Sequence, residues 1–376
     1  MEIYLDNAAT TKVCDEAADA ALAMMTKAYG NPSSTHAKGR EAKKALDLAR
    51  AQVADALGCT PAELVFTSCG SEADNWAIIR GAESARRRGG HIISSTVEHD
   101  AVRKSLDALE KQGFEVTRLS PGADGSLSAG NVLAVLRPDT VLVSLMMVNN
   151  ETGAVTDIAD IFRKVKDTGS HTLLHTDAVQ GFLKVPFSAK TLGADMISLS
   201  GHKIHAPKGI GALYIRDGLK IAPYLMGGGQ EEGRRAGTEA IPLIAAFGAA
   251  AAAGKAQFPK SAAHMASLRG KTLSRLKAEI PGLTAAAGGA PHILSVSLPG
   301  YRSEVLMNYL EARGIFVSKS SACKKGGRSH VLEAMGLPPR VIDGTIRIGF
   351  SRFTTEDEVR EFCGALRQAS ETLAHT

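Results

Sequence analysis

Residues 140–177 read TVLVSLMMVNNETGAVTDIADIFRKVKDTGSHTLLHTD, and this stretch decides the fold class. The apolar runs at 140–148 and 172–177 have the length and composition of buried strands. Between them, residues 158–169 have the apolar spacing of one face of a helix. Two buried strands joined through a helix form a βαβ unit, which is typical of a parallel sheet.

The same alternation continues on both sides of this unit. Further short apolar runs, separated by helical stretches, are ELVFTS at 63–68, HIISS at 91–95, DMISLS at 195–200 and GALYI at 211–215. An alanine-rich helical stretch, interrupted by Gly254 and Pro259, then leads to a smaller lobe with strand-like runs at 292–298 and 344–350. We predict an α/β protein with a mainly parallel sheet domain over residues 1–255. A smaller C-terminal α+β domain over 256–376 follows, and the N-terminal segment is expected to pack on it.

Composition excludes several classes of protein. With 376 residues, 44% of them hydrophobic and 22% charged, the chain is typical of a folded protein with two lobes. No secretory signal pattern and no run of about 18 apolar residues is evident, so we expect a cytoplasmic protein without a membrane span. The five cysteines form no CxxC pair, which favours reduced thiols. Basic residues are dispersed and only one tryptophan is present, so direct nucleic-acid binding is not expected.

Polar side chains follow the ends of the apolar runs, where parallel sheets bind ligands. Asp177 ends one run and Lys203 follows another. Pyridoxal phosphate requires a lysine for a Schiff base, an acid against its pyridine nitrogen and donors for its phosphate. Lys203 and Asp177 supply the first two, and Gly70 and Ser71 at a strand-to-helix turn supply phosphate donors. Taken singly, Lys203 could be a surface lysine and Asp177 a turn former, so the prediction depends on their combination.

Two further motifs carry possible chemistry. In GHKIH, His202 and His205 lack other ligands nearby in the sequence, so we predict no metal site. The stretch SKSSACKKGGRSH at 318–330 places Cys323 among serines, lysines and glycines, outside any predicted strand or helix. A thiol in such a segment is a candidate nucleophile, and the alternative is a surface cysteine without a role.

With these residues assembled, the chain resembles the cysteine desulfurases, which are fold-type I pyridoxal-phosphate enzymes, over nearly its full length. The matching stretches include YLDNAATT at 4–11, VFTSCGSEADN at 65–75, VNNETG at 148–153, HTDAVQ at 175–180, SLSGHKIHAPKGIGALY at 198–214, RRAGTE at 234–239 and SSAC at 320–323. The resemblance implies a mainly parallel seven-stranded sheet domain with a smaller α+β domain. It also implies a homodimer that converts L-cysteine to L-alanine.

The resemblance also implies a role for each candidate residue. Lys203, His99 and Cys323 would be catalytic, and Cys323 would receive the sulfur as a persulfide. Asn150 and Arg347 would bind the substrate carboxylate. The residues that would bind pyridoxal phosphate are Gly70, Ser71, His99, Asp177, Gln180, Ser200, His202, Lys203 and, from the other subunit, Thr238.

Three alternatives stay open at the level of the sequence. A selenocysteine lyase differs only in the chalcogen that it prefers, and another fold-type I enzyme would not need Cys323. A non-catalytic sulfur carrier or scaffold-binding protein could keep the fold without turnover, although Lys203 argues against it. The sulfur acceptor is expected to be a protein, either an iron–sulfur scaffold or a thiolation enzyme.

Overall fold

The computed structural model describes residues 2–319 and 327–374 of the chain. In these ranges strands and helices alternate over most of the sequence. The strands are β1 Ile3–Tyr4, β2 Leu64–Thr67, β3 His91–Ser95, β4 Glu115–Leu119, β5 Thr140–Met146, β6 Leu173–Asp177, β7 Met196–Ser200, β8 Gly211–Ile215, β9 Thr284–Ala285, β10 Ile293–Ser297, β11 Ile315–Phe316, β12 Ser318–Lys319 and β13 Thr345–Gly349. The helices are α1 Asp15–Thr26, α2 Ala37–Leu57, α3 Gly70–Ala85, α4 Asp100–Glu110, α5 Ala129–Val135, α6 Ile158–Asp167, α7 Ala189–Leu192, α8 Ile241–Glu279, α9 Ser303–Glu311, α10 His330–Ala334, α11 Pro339–Asp343 and α12 Glu356–Thr372.

Within the described residues, the largest sheet has seven strands in the order β2-β8-β7-β6-β5-β3-β4. β8 is antiparallel to both of its neighbours, and the other neighbouring pairs are parallel. The expected mainly parallel seven-stranded sheet is therefore confirmed. β4 is absent from the predicted strands because it lies at the edge of the sheet, where Glu115 and Arg118 form surface ion pairs and interrupt any apolar run.

The stretch 140–177 folds as β5, α6 and β6. The two strands pair in parallel with Leu142 opposite Leu173, and all their residues are buried because helices cover both faces of the sheet. α6 begins after Asp157, whose carboxylate accepts a hydrogen bond from the backbone N–H of Asp160 at 3.1 Å. The βαβ unit predicted from the sequence is therefore present.

Each face of the large sheet has its own hydrophobic core. α3 and α4 cover one face, where Trp76 and Leu106 are buried against strand residues such as Leu142. α1, α2, α5, α6 and the first half of α8 cover the other face, where Phe162 and Phe247 are buried. The sheet is thus the middle layer of three, which leaves its strand ends as the accessible edges.

A smaller antiparallel sheet, in the order β12-β13-β10-β9, packs with α9, α12 and the second half of α8 around a separate core. α8 connects the cores, since Phe247 belongs to one and Leu268 to the other. It continues through Gly254 and Pro259, where the sequence suggested interruptions. Packing at both ends holds the helix although the proline lacks an N–H donor. The predicted domain boundary at 255/256 falls inside this helix and stays a prediction.

α8 bears on the expectation that the chain has no membrane span. Among the described helices, α8 is the one whose length and apolar composition would allow it to cross a membrane. Its most apolar window has a mean hydropathy of 1.3. In the protein 44% of that window is buried, and the helix contributes to two cores. The apolar composition of α8 is therefore explained by packing.

The first residues of the chain attach to the smaller sheet and its surroundings. β1 pairs in parallel with β11, with Ile3 opposite Ile315. Asp6 forms a bridge with Gly349 at the end of β13, and the side-chain amide of Asn7 donates to the Gly349 carbonyl at 2.9 Å. These contacts direct the following residues toward the carboxyl edge of the large sheet.

Candidate active site

A cavity of about 300 Å³ lies where the strands of the large sheet end. β2, β3, β5, β6 and β7 run in one direction, so their carboxyl ends share an edge. Most of the predicted site residues line this cavity. They are Gly70, Ser71, His99, Asn150, Asp177, Gln180, Ser200, His202, Lys203 and Arg347.

Lys203 enters the cavity from a 3-10 turn that follows β7. Its Nζ donates to the backbone carbonyls of Ala8 at 2.8 Å and Ala9 at 2.7 Å. A further hydrogen bond joins the N-terminal segment to the turn that carries Lys203, because the Thr11 hydroxyl donates to the His202 carbonyl at 3.0 Å. The N-terminal segment therefore sets the position of the lysine amine.

Two carboxyl groups line the cavity close together. Asp177, the last residue of β6, accepts a hydrogen bond from the Val179 N–H at 2.9 Å, and Asp74 extends from α3. Burial raises the pKa of Asp177, while His99 and Lys203 oppose this rise. Burial also raises the pKa of Asp74 well above its usual value, and the charge of Asp177 raises it further. His99 and Lys203 thus favour the charged form of Asp177, whereas the neighbouring charge of Asp177 favours the protonated form of Asp74.

One end of the cavity is suited to an anion. α3 begins there with Gly70 and Ser71, so its first backbone N–H groups and its dipole favour negative charge. A side chain at position 70 would not fit, because a Cβ atom would lie 2.8 Å from Val179 Cγ2. Ser200 is 2% exposed, and its hydroxyl has no hydrogen-bond partner among the described residues. An unsatisfied buried hydroxyl is costly, so this arrangement indicates a ligand with acceptor oxygens.

His202, His99 and Gln180 complete the walls. The Nδ1 atom of His202 lies 3.2 Å from the Thr10 hydroxyl, and burial lowers the pKa of His202 to about 4. His99 caps α4, since its Nδ1 accepts from the Ala101 N–H at 3.1 Å, and its ring also lines the cavity. It therefore has both the capping role and the position that ring stacking would need.

The Gln180 side chain is fixed at both ends. Its Nε2 donates to the Ala8 carbonyl at 2.8 Å, and its Oε1 lies 3.1 Å from His292 Nε2. Burial lowers the pKa of His292 well below its usual value, so this histidine is neutral. Gln180 thus has a defined orientation toward the cavity before any ligand binds.

A guanidinium group also lines the cavity. Arg347 is 2% exposed, its Nη1 donates to the Asn150 carbonyl at 2.9 Å and its Nη2 pairs with Asp6 at 2.9 Å. Its Nε has no partner in the described part of the chain. A buried guanidinium with a free donor is suited to bind a carboxylate.

Two of the predicted site residues are not among the described residues that line this cavity. Thr238 is exposed, in a segment that precedes α8, and does not line the cavity. Cys323 lies outside the described residues, so its predicted role stays a prediction. Within the described ranges, no group of three or more His, Cys, Asp or Glu side chains is placed to hold a metal ion.

Sequence reasoning assigned no role to several cavity residues. Asp74 was missed because one polar residue on a helix has no distinctive pattern. Ala8 and Ala9 act through backbone carbonyls, which the sequence does not reveal, although the stretch YLDNAATT is one that matches the desulfurases. Asp6, in the same stretch, is the residue whose pairing with Arg347 could have been anticipated from its charge.

The residues present fit pyridoxal phosphate. The cavity holds a lysine amine, a buried aspartic acid and an anion site with an unsatisfied serine hydroxyl, which are the groups that this cofactor needs. Lys203 would bond the cofactor aldehyde, Asp177 would face the pyridine nitrogen, and Gly70, Ser71 and Ser200 would surround the phosphate.

Comparisons with known proteins agree with this chemistry. The family model described as "Aminotransferase class-V" matches residues 3–362. The protein named cysteine desulfurase 2 of Trichormus variabilis is 44% identical over 95% of this chain and 90% of its own length. A solved NifS-like protein superimposes with a TM-score of 0.94 at 38% identity, covering 99% of this chain and 100% of its own. SspA in complex with cysteine is similar with a TM-score of 0.81 at 33% identity, covering 94% of this chain and 100% of its own. The chain therefore belongs to the class-V aminotransferase family and, within it, to the cysteine desulfurases.

Proposed function

We propose that this protein is a pyridoxal-phosphate-dependent cysteine desulfurase that converts L-cysteine to L-alanine and transfers the sulfur to Cys323. The observation that carries the proposal is one cavity that is lined by Lys203, Asp177 and Arg347. The names of the relatives and the cysteine bound to the similar SspA support L-cysteine as the substrate.

The chain's own residues would bind and orient the substrate. Arg347 and Asn150 would hold its carboxylate, since the guanidinium already donates to the Asn150 carbonyl and its Nε has no partner among the described residues. Lys203 would move the α-proton, because its amine lies in the same cavity. Pyridoxal phosphate, when bound, withdraws electrons from the α-carbon of the substrate. His99 would stack on the cofactor ring.

The sulfur step would balance without an external oxidant. The thiolate of Cys323 attacks the sulfur of the substrate, the carbon–sulfur bond breaks and a sulfur–sulfur bond forms. The carbon that loses sulfur gains a proton, which gives alanine, and Cys323 becomes a persulfide. A protein acceptor, either an iron–sulfur scaffold or a thiolation enzyme, would then remove this sulfur. We propose that the reaction takes place in the cytoplasm.

The exposed position of Thr238 supports a homodimer. This residue does not line the cavity of its own chain, which leaves it available for the role that the family resemblance implies, contact with the cofactor phosphate of the other subunit. Large exposed apolar side chains, which an interface would cover, occur in α1, just after α1 and at residues 225–226. They include Leu22, Met25, Tyr29, Leu225 and Met226.

The proposal is tested by mass analysis of the Cys323 peptide after L-cysteine is added without reductant. The wild type should gain one sulfur atom on that peptide, and Lys203→Ala should gain none. Lys208→Ala, which changes an exposed lysine five residues away, is the matched control and should behave like the wild type. If alanine and sulfide form while the Cys323 peptide stays unmodified, another group accepts the sulfur; if neither product forms, the proposed reaction is wrong.

A further inference from the structure

The residues on both sides of 320–326 are attached to the walls of the candidate active site. Before this segment, Ser318 in β12 pairs with Arg347 in β13. After it, Ser329 and α10 pack against residues 97–98 and 146–151. Cys323 lies between these two attachments in the sequence.

The second attachment centres on a hydrogen bond from the Ser329 hydroxyl to the carboxylate of Glu151. Both residues are buried, with exposures of 3% and 5%. The Ser329 oxygen also accepts the Leu332 N–H at 3.1 Å and so caps α10. A hydroxyl has one proton to donate, and here that proton points to Glu151.

Glu151 is itself held in a turn that forms part of the candidate substrate site. Oδ1 of Asn149 accepts the Glu151 N–H at 2.9 Å and fixes the turn. The carbonyl of the intervening Asn150 accepts from Arg347 at 2.9 Å. The two residues proposed to bind the substrate carboxylate and the attachment of Ser329 therefore belong to one connected unit.

Stability alone does not explain a carboxyl group at this position. Burial raises the pKa of Glu151 to about 7, while the hydrogen bond from Ser329 opposes the rise, which indicates that the charged form is costly there. An apolar side chain would avoid this cost. The carboxyl group is therefore better explained by its hydrogen bond with Ser329 than by a contribution to the stability of the core.

Two further contacts place α10 beside the cavity. Val331 packs against Val97 and Met146, and Met146 also lines the cavity. The ring of His330 lies 3.3 Å from the backbone carbonyl of Glu98 through its Nε2. The helix that begins at Ser329 thus rests directly on the cavity wall.

We propose that Glu151 is a positioning residue for sulfur transfer, which holds Ser329 and so fixes the chain six residues beyond Cys323 next to Asn150 and Arg347. This inference rests on the proposed function, because it assumes that Cys323 receives the sulfur. Six residues span at most about 20 Å when extended, so the covalent chain keeps residue 323 within about that distance of a fixed Ser329. A restricted nucleophile reaches its attack geometry more often and therefore reacts faster.

The experiment compares two steps of a single turnover in the holoenzyme. Rapid mixing with L-cysteine gives the absorbance change of the bound cofactor, which reports substrate binding. Quenching and mass analysis give the rate of persulfide formation on Cys323. Glu151→Ala and Ser329→Ala should each slow persulfide formation at least tenfold and change the absorbance step by less than about twofold.

Three further variants separate positioning from folding. Glu151→Gln keeps an oxygen acceptor for Ser329 and should form the persulfide within about threefold of the wild-type rate. The double variant Glu151→Ala, Ser329→Ala should be no slower than the slower single variant, because both remove the same contact. Glu333→Ala changes an exposed glutamate on α10 and should match the wild type.

The outcomes distinguish this inference from the proposed function. Persulfide formation at the wild-type rate in both alanine variants would overturn the inference. An equal slowing of both steps would also overturn it, because Glu151 would then act on substrate binding or on the fold. If Glu151→Ala fails to fold, Ser329→Ala, which removes one oxygen atom, gives the same test. If the wild type itself forms no persulfide on Cys323, the proposed function fails, and the inference with it.

Discussion

Glu98 should make the protein less stable as the pH rises. This residue is 1% exposed, and its Oε1 accepts hydrogen bonds from the Ser95 hydroxyl at 2.6 Å and the Met146 N–H at 3.0 Å. Its Oε2 has no partner in the described ranges. Burial raises the pKa of Glu98 from 4.5 to about 8, so the carboxyl is mostly protonated at neutral pH. Glu98→Gln keeps the oxygen acceptor and removes the titration.

The size of the effect follows from the two pKa values. Between pH 4.5 and about 8 the folded protein keeps a proton that the unfolded chain releases, so the free energy of unfolding falls as the pH rises. Each pH unit well inside this range costs about 1.4 kcal/mol. Between pH 5.5 and 8.5 the wild type should therefore lose about 3 kcal/mol relative to Glu98→Gln. For a chain of 376 residues this corresponds to about 4 °C in Tm.

The assay is thermal unfolding of the wild type and the variant at several values between pH 5.5 and 8.5. The two Tm values should be similar at the acidic end, and the variant should become the more stable protein toward the alkaline end. Glu311→Gln, which changes an exposed glutamate, is the control and should follow the wild type. Parallel pH dependences of Tm for Glu98→Gln and the wild type would refute the assignment of a protonated buried carboxyl.

Three other predictions concern the cofactor, the substrate and the fold. Gly70→Ala should weaken pyridoxal-phosphate binding to the apoprotein about tenfold in a fluorescence titration, since the new methyl would lie 2.8 Å from Val179 Cγ2; Val179→Ala in the same chain should recover most of the affinity. Arg347→Lys should raise KM for L-cysteine more than tenfold in steady-state assays, because lysine lacks the planar fork that contacts two partners, and an unchanged KM would contradict its role. Arg50→Ala should lower stability by about 3–5 kcal/mol in thermal unfolding, because it leaves the buried Glu231 carboxylate without its 2.7 Å ion pair, and a loss below about 1 kcal/mol would contradict this.

The convergence of Asp177 and Lys203 could be predicted because Asp177 ends one buried strand and Lys203 follows another, and parallel strands bring their carboxyl ends to one edge. The Lys203 contacts with Ala8 and Ala9 could not, because their acceptors are backbone carbonyls almost two hundred residues away in sequence. Such acceptors exist in every residue, so no side-chain pattern reports them. The roles of the cavity residues, including those of Asp177 and Lys203, stay predictions until they are tested.

The direction of β8 was only partly predictable. A five-residue apolar run has the same pattern in either direction, so GALYI indicates a strand without its orientation. The connection from β7 is the better signal. Residues 201–210 contain a 3-10 turn and no crossover helix, and parallel neighbours need such a crossover. An antiparallel β8 follows from this short connection.

The pairing of β1 with β11 has a consequence for synthesis of the protein on the ribosome. Ile3 pairs with Ile315 and Asp6 with Gly349, so the first residues to emerge find their partners only near the end of translation. Until then Ala8 and Ala9 cannot be fixed by those contacts beneath the amine of Lys203. Domains generally fold as they emerge, from the N-terminal side first. A nascent chain can therefore complete the large sheet early, while Lys203 acquires its final surroundings only when nearly all of the protein has been made.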